Sequence, residues 1–90
     1  MTVILDEPIR VGAIFADRTL QPVWFSRDGR QVRIREIAYT WKTHEGRAEI
    51  LHFSVTDGQG LYEICYNRET MAWRLEKAKD ISDCGFRIAD

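Results

Sequence analysis

Arg27, Arg30, Arg33 and Arg35 recur every two or three residues, and Trp24 stands just before them. Guanidinium groups present planar forks of N–H donors that match the oxygens of a phosphate, and an indole face can stack an unpaired base. Residues 18–35 hold five arginines against one carboxylate, Asp28, a formal +4, while the other residues together carry −5. The whole chain has a formal charge of −1 and an isoelectric point near 6.1, so bulk charge draws it to neither nucleic acid nor an anionic membrane. Any attraction for phosphate must be local.

Two readings of this group stand open. In the first, Val23 and Phe25 point inward, Trp24 points outward, and the indole and guanidinium groups together form a site for single-stranded nucleic acid. In the second, Trp24 covers one end of the fold and the arginines are the solvated face of a strand. Their stems then shield apolar surface, and Glu36, Glu49 and Glu63 meet their charges across the sheet.

Other candidate chemistry is sparser. His44, His52 and Cys65 lack the local spacing of a zinc site, which needs about four ligands or three plus a water. Nucleophilic catalysis by Cys65 needs a base and an orienting group against the thiol. It gains ground only where a concave pocket brings His52, Cys65 and a carboxylate together. Gly58 and Gly60 are followed by no lysine and no helix start, so they read as turn glycines rather than a phosphate loop. Cys65 and Cys84 are too few for a disulfide framework and are expected to be reduced thiols. The expectation is a protein that is not an enzyme and has no metal or other cofactor.

The residues that must position these groups alternate in polarity with a period of two, the pattern of β-strands. Pro8 to Ala16 forms a first strand, and Leu20 to Ser26 a second, an edge strand or one bulged at Gln21-Pro22 because proline cannot donate to a ladder. Arg27-Asp28-Gly29-Arg30 makes a tight hairpin turn. A long strand from Gln31 to about Thr43 follows, with its apolar phase shifted by a bulge near Arg35-Glu36, so that Val32, Ile34, Ile37, Tyr39 and Trp41 share the core face. Leu51, Phe53 and Val55 line the next strand with His52, Ser54 and Thr56 on its polar side. Tyr62, Ile64 and Tyr66 line another, and Met71, Trp73 and Leu75 the last. About six antiparallel strands in a meander are expected, forming a small barrel or a strongly curled sheet.

Hydrophobic residues make up 44 % of 90, enough for one modest core and no second domain. Residues 1–7 read as a lead-in, 8–78 as the β domain and 79–90 as a C-terminal tail. No apolar run approaches the roughly 20 residues that cross a bilayer, and the first residues lack a basic, apolar leader, so a cytoplasmic protein without membrane contact is expected.

Several segments resemble a known family: Pro22-Val-Trp-Phe25, Gly29-Arg30, Val32-Arg-Ile34, Ile37, Trp41, Phe53-Ser-Val-Thr-Asp-Gly58, Leu61-Tyr-Glu-Ile64 and Trp73-Arg-Leu-Glu76. Together, over roughly residues 8–78, they are similar to a small bacterial β domain of unknown function. It is found as short stand-alone proteins and, in more distant relatives, beside or fused to proteins of the translesion DNA polymerase type. The resemblance implies no catalytic residue and favours a nucleic-acid accessory role. Two functions are expected. The first is a protein-interaction module, self-associating or binding another protein through a strand edge, that of the Pro22 strand or of the last strand. The second is a single-stranded nucleic-acid-binding domain using Trp24, Arg27, Arg30, Arg33 and Arg35.

Overall fold

The computed structural model describes residues 2–27 and 29–80. Seven strands account for most of them: β1 (Thr2–Ala16), β2 (Thr19–Arg27), β3 (Arg30–Arg33), β4 (Glu36–Glu45), β5 (Ala48–Thr56), β6 (Gly60–Asn67) and β7 (Ala72–Asp80). No described residue is helical, and no helix long and apolar enough to cross a membrane is present among them. Asp17 and Arg18 both take positive φ (53° and 63°) in a two-residue hairpin turn, a conformation that suits aspartate and that arginine adopts only at a steric cost. Asp57 Oδ1 accepts the amides of Gln59 and Gly60, and Asn67 Oδ1 those of Glu69 and Thr70.

All pairings are antiparallel in one sheet of order β3-β2-β1-β7-β6-β5-β4, strongly curled into a half-barrel. The fold is therefore all-β as expected, with seven strands where about six were anticipated. The strand order is not that of a simple meander, because β1 and β7 pair at the centre. The last strand is therefore not the free edge expected of it, and the Pro22 strand β2 also has a neighbour on each side. The two outer strands, β3 and β4, are instead consecutive in the chain. Between them, the Ile34 amide donates to the Val23 carbonyl on β2 (3.0 Å) and the Arg35 amide to the Thr56 carbonyl on β5 (2.8 Å). This corner pins the two sides of the half-barrel together. Beyond it they diverge, leaving a slot of about 320 Å³ lined by Leu20, Thr40, Trp41, Leu51 and Phe53 among others.

Inside the curl, Phe25, Phe53, Val55, Ile64 and Leu75 are buried, and Ile9, Val11, Val32, Ile37 and Trp73 pack against them. Each fully buried side chain contributes roughly 1.5–3 kcal/mol relative to exposure. Register irregularities make the curvature. Val23 is the extra residue of β2 against β1, and Ala38 that of β4 against β5. Glu76 is extra in β7 against β6 and faces Leu5 and Asp6 of β1.

Three expectations are corrected here. The single long strand from Gln31 divides, because at Ile34-Arg35 the chain changes partner from β2 to β5. The bulge sits at Ala38 rather than at Arg35-Glu36, so the phase reverses after Ile37. Tyr39 and Trp41 then face outward, opposite Ser54 and His52, instead of entering the core. Strand boundaries also move. Thr2–Ile4 already pair with Lys77–Lys79, so β1 begins before Pro8, and β7 runs through Lys79 to Asp80. Pro22 is buried next to the bulged Val23, close to where a bulge was expected. Of the C-terminal tail, residues 81–90 lie outside the described residues, as does Cys84.

Candidate functional site

The β2–β3 hairpin, the Ile34-Arg35 corner and the β5–β6 turn meet at one end of the half-barrel. Strand pairing brings the arginines there from separate positions: Arg27 stands opposite Arg30, and Arg35 is part of the corner itself. Together Arg27, Arg30, Arg33 and Arg35 line a cleft of about 540 Å³, with Val32, Asp57, Gln59 and Tyr62 completing its wall. Four of the five residues singled out in the sequence therefore converge.

Two of the carboxylates expected to neutralise them, Glu49 and Glu63, are occupied elsewhere. Glu49 pairs with Arg68 (2.5 Å) and Lys42 (3.9 Å), and the Arg68 hydrogen bond holds the Glu49 carboxyl below its usual range. Glu63 pairs with Lys77 (3.7 Å). Among the described residues, Arg30, Arg33 and Arg35 have no carboxylate within ion-pair distance. Asp57 lies in the cleft, but its Oδ1 already accepts two turn amides.

Trp24 stands apart from this cleft. It is half-buried on the outer face of β2, directly opposite both Gly12 and Arg33. The indole occupies the space a side chain at Gly12 would need, since a Cβ there would fall 2.0 Å from Nε1. Trp24 is thus outward-facing and beside one arginine, yet also a packing residue. Tyr62, which sequence reading assigned to the core, reaches the cleft while its ring meets Phe25 edge-on at 5.2 Å.

A second concavity, a groove of about 810 Å³, crosses the outer face of β4 to β7. It brings together His52, Cys65 and Glu76, the combination that alternation alone could not establish. His52 is 9 % exposed and stacks flat on Trp41, with ring centroids 5.0 Å apart and planes at 4°. Burial, reinforced by the charge and hydrogen bond of Glu76, pushes the Cys65 thiol up to about 12. Such a thiol stays protonated and is a poor nucleophile. Across the groove Arg74 grips Asp6 through Nε (2.6 Å) and the Asp6 carbonyl through Nη2 (2.8 Å), and this pairing raises the Arg74 pKa. Among the described residues no three His, Cys, Asp or Glu side chains form a group that could hold a metal ion. No protein-family model, curated protein or solved structure matches this chain.

Proposed function

We propose that the protein is a binding module whose arginine cleft holds the phosphate backbone of a single-stranded nucleic acid. The observation that carries this reading is the convergence of Arg27, Arg30, Arg33 and Arg35 on one cleft, three of them without an ion-paired carboxylate among the described residues. Placing four guanidinium groups together costs repulsion that an anionic ligand relieves, and Arg30, Arg33 and Arg35 can each donate a forked pair of hydrogen bonds to phosphate oxygens. Arg33 lies opposite Trp24, so a nucleotide held at Arg33 has an aromatic side chain beside it for stacking. The resemblance to a bacterial domain found beside translesion-polymerase-type proteins supports the same reading.

Tryptophan fluorescence during titration with mixed-sequence single-stranded DNA and RNA tests it. Saturable change with log K falling by about 0.7 per phosphate contact against log salt is expected, giving a slope of up to about −3 for four contacts. Arg33→Glu should weaken binding and flatten that slope. Equal affinity in wild type and an Arg33→Glu/Arg35→Glu double variant would remove the cleft from consideration.

A second reading rests on β4. Its outer edge has no strand partner among the described residues, and Tyr39 on it is 68 % exposed. An unpaired aromatic edge favours pairing with a second copy or with an extended segment of another protein. Sedimentation across a concentration series, compared with Tyr39→Lys, separates a self-associating chain from a monomer.

A further inference from the structure

The groove on the outer face holds a constellation that the arginine cleft does not use. The Thr43 hydroxyl lies 2.7 Å from His52 Nε2. On the other side of the ring, the buried Nδ1 faces Glu76 Oε1 at 3.3 Å without a hydrogen-bond partner of its own among the described residues. Stacking on Trp41 fixes the plane of the imidazole. Three strands supply the three groups: β4, β5 and β7. The order hydroxyl, imidazole, carboxylate is the one that lets a neutral imidazole act as base while the carboxylate stabilises the imidazolium that results. Contacts of this kind tighten when charge develops on the ring.

The edge position of Thr43 adds a further element. Successive backbone amides of a strand point to alternate sides, so either the Thr43 N–H or those of Lys42 and His44 point away from β5. On that side β4 has no strand neighbour among the described residues. Outward amides beside the hydroxyl are therefore free to donate to an oxyanion.

The geometry points to Thr43, His52 and Glu76 as a hydrolytic triad for small activated carboxylic esters. Thr43 Oγ1 attacks the ester carbonyl and its proton passes to His52 Nε2. The bond from acyl carbon to the leaving oxygen breaks, and that oxygen takes the proton from the imidazolium. Water then attacks the acyl-threonine, giving one proton to Nε2, and Thr43 recovers it as the acid departs. Net reaction consumes one ester and one water and yields one acid and one alcohol. Glu76 is a positioning residue. Cys65 takes no part.

A purely structural role, in which Thr43 and Glu76 serve only to satisfy a buried histidine, predicts no turnover. The experiment is 4-nitrophenyl acetate hydrolysis by the purified chain, against buffer with an equal concentration of free imidazole. Hydrolysis by wild type should exceed that control. Thr43→Val, which removes one oxygen from an exposed residue and keeps its shape, should lower the rate about 100-fold, and His52→Gln likewise. Glu76→Gln should reduce kcat more than it raises KM, with partial recovery in Glu76→Asp. Diisopropyl fluorophosphate, losing fluoride as its phosphorus bonds to oxygen, should leave one adduct mapped by mass spectrometry to Thr43. A wild-type rate no greater than the imidazole control, full activity in Thr43→Val, or an adduct on another residue would overturn the assignment. Thermal unfolding of each variant distinguishes lost chemistry from lost fold.

Discussion

The Arg35 guanidinium lies across the backbone of Gly58, where a side chain would place its Cβ 2.8 Å from Nη1. Residue 58 also has φ of 98°, a conformation that L side chains rarely adopt. Gly58→Ala should therefore lower stability by roughly 1 kcal/mol or more and displace Arg35 from the cleft. Urea unfolding reads the first effect and oligonucleotide titration the second. Wild-type affinity in a folded Gly58→Ala protein would separate Arg35 from the binding surface.

The same logic applies to Gly12, where the obstacle is the Trp24 indole rather than backbone conformation. Gly12→Ala should cost roughly 1–3 kcal/mol, typical of overpacking, and expose the indole. A red shift in emission that disappears in a Trp24→Phe background identifies the displaced ring. An unshifted spectrum with unchanged stability would mean that Trp24 has room to move.

Phe25 is fully buried at the junction of β1, β2 and β3 and meets Tyr62 edge-on. Truncation to alanine should cost about 3–5 kcal/mol. Against the roughly 5–15 kcal/mol that domains of this kind possess, that is a large fraction of the whole. Phe25→Leu, which retains most of the volume, should lose far less. The chemical denaturation midpoints of the two variants check the ordering.

Cys65 makes a prediction about alkali. Its folded pKa of about 12 lies above the usual thiol range, so between roughly pH 9 and 12 the unfolded chain ionises this thiol and the folded chain does not. Fewer protons on the unfolded state means that stability falls as pH rises, by up to about 1.4 kcal/mol per unit from this group. In a Cys84→Ser background, Cys65→Ala should make the fall of stability with pH shallower by this contribution. The native thiol should also resist a disulfide reagent at pH 8 that reacts at once in denaturant.

Alternation located the strands around Phe53, Ile64 and Leu75 because each has one apolar side against one core, and a period of two cannot serve both faces at once. It misplaced Tyr39 and Trp41 because a single extra residue reverses every later side chain, and the apolar string Ile37, Tyr39, Trp41 reads equally well with the extra residue before or after Ile37. The bulge at Ala38 is settled by the register against β5, a long-range fact with no local signal. Arg27, Arg30, Arg33 and Arg35 were legible as a group from spacing alone. Their convergence was not, since it needs the corner at Arg35 to fold beside the β5–β6 turn. His52, Thr43 and Glu76 lie on three strands, and only the ladders place them in contact.

The central position of the β1–β7 ladder governs how this chain can fold. Hairpins β1–β2, β2–β3, β4–β5, β5–β6 and β6–β7 each join neighbours in sequence and can form independently, but they produce two separate leaves joined by the Ile34-Arg35 corner. Only pairing of residues near the start with residues near Lys77 unites them, at a separation of about 70 residues that carries the largest loop-closure entropy in the molecule. On loop entropy that ladder is expected to form last, and until it does the facing edges of β1 and β7 are open to pairing between chains. Folding rate and aggregation should therefore respond together to changes along these two strands.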